Sequence, residues 1–278
     1  SFAGMCGGAG ANIFLDWLFI FPLDMGVIGA AIASGLGQVF SVAVLLSHFM
    51  RRQGSLRFRR FHLSGALAMK ICKRGVPEAV SQLTTPVTAL CYNLMLARLV
   101  GDIGVSTFSV LSFIYSLANA ILSGVAQGLQ PLWGNCYGEQ DTDGMNEYFR
   151  WGIRINATLS VAIYGLLLFF TEPVIRIFNQ DLELVQNASA ALPLFSLSFI
   201  PMALNLIYTA FLYSTKRTLQ ADAISFSRGI VLKAAAIFCL PVLLGSDRIW
   251  LAPLAAELLT LGLAIALVKW KKPSRNCH

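Results

Sequence analysis

The stretch "GAGANIFLDWLFIFPLD", residues 8–24, decides how the chain is read. It is apolar nearly throughout, yet it carries Asn12 and Asp16, four residues apart. A carboxylate inside a membrane-crossing run is expensive, and such residues are kept for function. The rest of the chain has the same character. Of 278 residues, 56% are hydrophobic and 13% are charged, with a mean hydropathy of +0.67. A soluble domain carries charge on about a quarter of its residues. The apolar residues form runs long enough to cross a bilayer, which takes about 20 residues. These runs cover 2–21, 26–49, 76–100, 105–130, 148–172, 186–213, 220–244 and 249–270. The short alternation of a β-barrel is absent. The expected class is an all-α polytopic membrane protein with eight transmembrane helices.

The net charge of +7 is distributed by loop. Arg51, Arg52, Arg57, Arg59, Arg60, Lys70, Lys73 and Arg74 lie between spans two and three. Lys216 and Arg217 follow span six, and Lys269, Lys271, Lys272 and Arg275 follow span eight. Arg176 and Arg248 lie in loops of the other side. The asymmetry places the basic loops and the C-terminus in the cytoplasm. It also makes anionic membrane lipid the partner of residues 51–74, and nucleic acid is not expected. Cys6, Cys72, Cys91, Cys136, Cys239 and Cys277 are scattered without CxxC spacing, so neither a metal cluster nor a redox pair is expected. Ser1 opens within an apolar run, which reads as a cut inside a longer protein, and no signal peptide is visible.

Spans one and two form a tight hairpin across "PLDMG", residues 22–26. Residues 50–74 are the longest charged connection and the expected boundary between two lobes. A weak internal echo relates "VIGAAIASGLGQVFSVAVLL" (27–46) to "WLAPLAAELLTLGLAIALVK" (250–269). Repeated lobes with a site at their interface are a common transporter architecture. Pro77, Pro86, Pro131, Pro193, Pro201, Pro241 and Pro253 lie in or near spans, where proline frees a carbonyl and permits a bend.

Asn12 and Asp16 share a helix face at i, i+4. Asp16 lies about 9 Å below the outer end of span one, and Ser34 about 12 Å below the same end on the returning helix. An antiparallel hairpin therefore brings Asn12, Asp16 and Ser34 to similar depth. Their hard oxygens suit Na⁺, with Asp16 and Asn12 as ligands, or Asp16 could exchange a proton. A hydrogen bond locking the hairpin would use the same groups. Lys233 and Glu257 flank the loop at 245–248 at matched separation and form a candidate intramembrane charge pair, either a neutralising ion pair or a substrate or proton site. Gln82, Thr85, Asn119, Asn205 and Tyr208 are candidates for the wall of a substrate cavity, beside Thr84, Thr88, Asn93, Gln127 and Asn156. Phe113, Tyr115 and Trp133 could meet an organic cation through their ring faces.

The stretch "AQGLQPLWGNCYGEQD" (126–141) resembles the segment closing the eighth helix of multidrug and toxic compound extrusion (MATE) transporters. Gln127, Gly128, Gln130, Pro131, Gly134, Tyr137 and Gly138 follow that pattern. "ANIFLDWLFI" and "GAAIASG" are similar to the family's fifth and sixth helices, "RGVPEAV" to its seventh-helix entry and "SFSRG" to its eleventh. The resemblance implies a twelve-helix, two-lobe protein of which this chain holds helices five to twelve. Residues 1–49 would be the last hairpin of the N-terminal lobe, 50–74 the cytoplasmic linker, and 75–278 the six-helix C-terminal lobe. Further N-terminal helices of the same chain would be its partners.

The implied function is a secondary active multidrug efflux transporter of the cell membrane. It would antiport cationic or amphipathic organic compounds against Na⁺ or H⁺, with no other cofactor. Family members that bind the coupling cation in the N-lobe have an Asn and an Asp matching Asn12 and Asp16, and a Thr matching Ser34. Their first-helix Asp lies outside this sequence. The seventh-helix Glu of another branch is matched by Thr85, which speaks against that mode. A lipid-linked oligosaccharide flippase of similar fold is the alternative; it calls for several basic residues in the cavity, and only Lys233 reads as deep in a span. An inactive remnant is another. An enzyme lacks support, because HExxH and GxSxG are absent and His48, His62 and His278 lie at loops or the terminus.

Overall fold

The computed structural model describes the backbone of residues 2–50 and 64–269, and every element among them is helical. The chain divides into two compact units, Ser1–Ala68 and Met69–His278.

The first unit is built on α1 (Phe2–Ile20) and α2 (Gly26–Met50), an antiparallel hairpin. Small residues let the two backbones approach, as lipid-embedded helices require. A Cβ added to Gly8 would collide with the Ser41 side chain, and one added to Gly37 would lie 2.9 Å from Asn12 Cβ. Nearer the turn, a Cβ on Gly29 would lie 2.9 Å from Phe19 Cβ. The turn is closed with Asp24 at φ 48° and Gly26 at φ 53°, both left-handed.

The second unit begins within α3 (Gly65–Leu99), which starts eleven residues ahead of the expected third span. Residues 65–74, expected as part of the linker, are helical; residues 51–63 lie outside those described. Gly101 at φ 81° turns the chain into α4 (Asp102–Glu139). At about 1.5 Å per residue, α4 is about 57 Å long. It far exceeds a hydrocarbon layer of about 30 Å. It runs on through Pro131 because its last turns are packed: Trp133 is buried, 5.6 Å edge-to-face from Phe211 and 6.4 Å from Phe149. Asp141 then caps α5 (Thr142–Phe169), its Oδ1 accepting the Gly144 N–H at 2.9 Å. The short α6 (Thr171–Phe178) follows.

The expected sixth span is broken into α7 (Leu182–Ser196) and α8 (Phe199–Ser214), which meet at 42°. Pro201 has no N–H to return to the carbonyl one turn earlier, so the ladder fails there. Beside the bend, the Ser196 and Ser198 hydroxyls fold back and donate to Leu192 O and Phe195 O, each at 2.7 Å. The expected seventh span is also interrupted. α9 (Thr218–Phe226) passes through a π-helical turn, Ser227–Val231, into α10 (Leu232–Leu244). A 3₁₀ turn, Ser246–Leu251, leads into α11 (Ala252–Lys269). All eight expected spans thus fall on helical segments. Among the described residues, five helices are long and apolar enough to cross a membrane, or six with α7–α8 taken as one bent span.

The core of the second unit lies where α4, α7, α8 and α10 meet, around Leu111, Leu122, Leu192, Phe199, Met202 and Ile237. Outward faces stay apolar: Phe169 is 88% exposed and Val242 79%, which lipid rather than water tolerates. Asn156 ties α5 to α8 by donating its Nδ2 to Ala203 O at 2.8 Å, fully buried.

The hairpin contact can be checked by substitution. Gly37→Ala should destabilise the protein by about 1–3 kcal/mol, because its Cβ must displace Asn12. Gly35→Ala meets nothing within 4 Å and should be neutral. Thermal unfolding of both variants in detergent measures the difference.

Candidate functional site

Polar groups inside the helices collect in two places, one in each unit. In the first unit, Gly37 faces Asn12, and Gly8 faces Ser41 one turn away. Continuing that register by one turn sets Asp16 level with Ala33, which is fully buried. Asp16 is half-buried, and its Oδ1 is sealed from solvent without a hydrogen-bond partner. Asn12 is half-buried on the same face. Ser34 stands beside Ala33 at the depth of Asp16, but it is exposed, a rotation of about 100° around α2. The hairpin therefore supplies a carboxylate oxygen with unused lone pairs, able to accept a cation or a proton.

In the second unit a cavity of 380 Å³ opens between α3, α4, α7, the π turn and α10. Behind it lies Glu257 of α11, the most deeply buried charge described, with its side chain 1% exposed. Its oxygens are divided between partners. Arg228 Nε donates to Oε1 at 2.9 Å, and Asn205 Nδ2 donates to Oε2 at 2.8 Å and to the Glu257 backbone carbonyl at 2.9 Å. Lys233 Nζ lies farther away, 3.9 Å from Oε1. It donates to Tyr115 Oη at 3.2 Å and sits 5.0 Å from that ring's centre.

The π turn explains how Arg228 reaches this place. One extra residue in the turn shifts the helix face, and π turns of this kind gather at functional sites. Thr88 of α3 holds the turn by donating its hydroxyl to Gly229 O at 3.0 Å. Also on the cavity wall, Tyr92 stacks on Phe108 with centroids 4.4 Å apart, and Phe195 meets Tyr115 edge-on at 6.2 Å. Asn119 lines the cavity, as do Ser112 and Ser116.

Several expected residues fall elsewhere. Asn205 is fully buried as a partner of Glu257 and is not part of the cavity wall. Tyr208 also lies off it, packed edge-on to Phe149 at 5.2 Å. Trp133 is enclosed in the aromatic cluster at the end of α4, and exposed Phe113 stacks on Phe178 at 6.0 Å. The side chains of Gln82, Thr84 and Thr85 lie outside those described. Lys233 and Glu257 do come near one another, but Arg228 holds the closer contact. Arg228 is the residue that pattern reasoning passes over. Its signal is an arginine about 16 Å into an apolar run that begins after Arg217.

The molecule is a multi-pass helical membrane protein with a polar cavity inside its larger unit. The MatE family model matches residues 77–238, more than half of the sequence, and the chain belongs to that family. It is similar to "Multidrug export protein MepA" of Staphylococcus haemolyticus (strain JCSC1435), 24% identical over 280 residues, which cover 96% of this chain and 59% of the relative. The protein of the same name from Staphylococcus aureus (strain MRSA252) is 22% identical over 271 residues, with the same coverage. The chain thus spans about six-tenths of the length of these relatives. In fold it is similar to an outward-facing multidrug resistance MATE family transporter of the MOP superfamily, with TM-score 0.84 and 21% identity. That match covers 96% of this chain and 61% of the other.

The charge cluster has a measurable signature. Glu257→Leu leaves Arg228 and Lys233 without their carboxylate and should cost about 3–5 kcal/mol. Replacing Arg228 and Glu257 together by Leu should recover most of that loss. Unfolding in detergent compares the single and double variants.

Proposed function

We propose that the chain is part of a secondary active multidrug efflux transporter of the cell membrane. It antiports cationic or amphipathic organic compounds against Na⁺ or H⁺, and its C-terminus faces the cytoplasm. Membership of the MatE family and the names of the MepA relatives support export of drug-like compounds. The observation that carries ion coupling is the buried Oδ1 of Asp16, which has no hydrogen-bond partner. An acceptor in that state costs energy unless a cation or proton visits it. Asn12, on the same helix face, adds an amide oxygen, and further ligands come from helices of the full-length chain beyond this part. Proton or Na⁺ binding at Asp16 relieves the orphaned oxygen. That gives the loaded and empty states different energies, as any coupled exchange requires.

The test is Asp16→Asn in the full-length transporter. It is nearly isosteric, so assembly in the membrane should persist. Efflux driven by an imposed Na⁺ or H⁺ gradient should fall to the level of empty vesicles. Imposing the two gradients separately on the wild type identifies the coupling ion. Unchanged gradient-driven efflux by Asp16→Asn would remove Asp16 from the coupling role.

A further inference from the structure

We propose that the cavity of the second unit binds the acid group of an aromatic organic anion, with Lys233 and Arg228 as its counter-charges. The inference rests on the export reading and narrows the substrate of this site to amphipathic acids. Charge balance is the first support. Arg228 and Lys233 both line the cavity, and among its described lining residues there is no Asp or Glu. Glu257 sits behind them, with Oε1 engaged by Arg228 and Oε2 by Asn205. A cationic ligand would meet two cations before any carboxylate. With Glu257 ionised the cluster holds one excess positive charge, and with Glu257 protonated it holds two. The sign is the same in both states.

A purely structural lock needs one cation per carboxylate, and Arg228 already fills that place. Lys233 is the surplus. Its side chain is 12% exposed; it meets the Tyr115 hydroxyl at 3.2 Å and that ring's face, and among the described residues the only carboxylate near it, Glu257 at 3.9 Å, is held closer by Arg228. An ammonium buried with so little compensation is destabilising unless an anion joins it. A carboxylate or sulfonate supplies that charge through charge-assisted hydrogen bonds. The remaining wall suits a flat apolar body: the Tyr92–Phe108 stack faces the cavity, and hydroxyls of Ser112 and Ser116 edge it. A volume of 380 Å³ falls in the range of small-molecule sites, about 300–1,000 Å³.

The experiment uses the full-length transporter in detergent, with fluorescein as an anionic probe followed by fluorescence anisotropy. Fluorescein should bind the wild type and be displaced by 2-naphthoate but not by 2-naphthylmethylammonium. Lys233→Gln should weaken fluorescein binding by about tenfold or more, and Lys233→Arg should restore it. Failure of fluorescein to bind the wild type, equal displacement by the ammonium compound, or undiminished binding by Lys233→Gln would each overturn the proposal. The wild-type competition needs no variant, so a misfolded Lys233→Gln leaves the decision intact. Transport into proteoliposomes separates this proposal from the export reading. Export of organic cations without fluorescein binding removes the acid site alone. Lys233-dependent fluorescein binding without export of any organic compound removes the export reading and leaves the site.

Discussion

The carboxylate of Glu257 is the constraint around which the larger unit is arranged. An ionised group sealed among apolar helices must be matched by donors, or its burial costs several kcal/mol. The chain meets that demand from three separate elements: Asn205 on α8, Arg228 on the π turn and, at longer range, Lys233 on α10. Glu257 therefore joins α11 to segments that lie far apart in sequence. The π turn is part of the same solution, because it aims Arg228 inward. Thr88 holds it by donating its hydroxyl to the Gly229 carbonyl.

The same rule governs the places where helices break. Lipid offers no hydrogen bonds to a freed backbone group, so each interruption must be repaired from within. At the α7–α8 bend the Ser196 and Ser198 hydroxyls are themselves satisfied by carbonyls of α7. The two polar sites differ in this respect. In the cluster around Glu257 both carboxylate oxygens are paired, and its open side is cationic. The hairpin leaves the Oδ1 of Asp16 unsatisfied. One site is built to hold a geometry and present positive charge, while the other has capacity to accept a cation or proton.

Much of the fold was legible from residues alone. Every long apolar run falls on helix, since burial of backbone groups in lipid leaves few alternatives; the helical start of α3 at 65–74 and most of α6 lie outside those runs. The short connection "PLDMG" announced a tight hairpin, and the family followed from motifs such as "AQGLQPLWGNCYGEQD". Asp16 and Glu257 stood out because an acid in an apolar run is conspicuous in any alignment of helices. What pattern could not supply was rotation about each helix axis. Asn205 and Tyr208 sit three residues apart on α8, yet one bonds Glu257 and the other packs against Phe149. Ser34 matches Asp16 in depth, but on α2 it is exposed beside the buried Ala33.

Composition and hydropathy by themselves determined that this is a polytopic helical membrane protein with acids inside its helices. Those properties depend on the solvent each segment faces, and that is written in local sequence. Only the tertiary structure decided which cation answers Glu257, that Lys233 is left over beside Tyr115, and that the cavity is lined by positive charge. These depend on a π turn, a 42° bend and the packing of distant helices. Each is a long-range compromise among buried polar groups, with no signature in any single stretch of the chain.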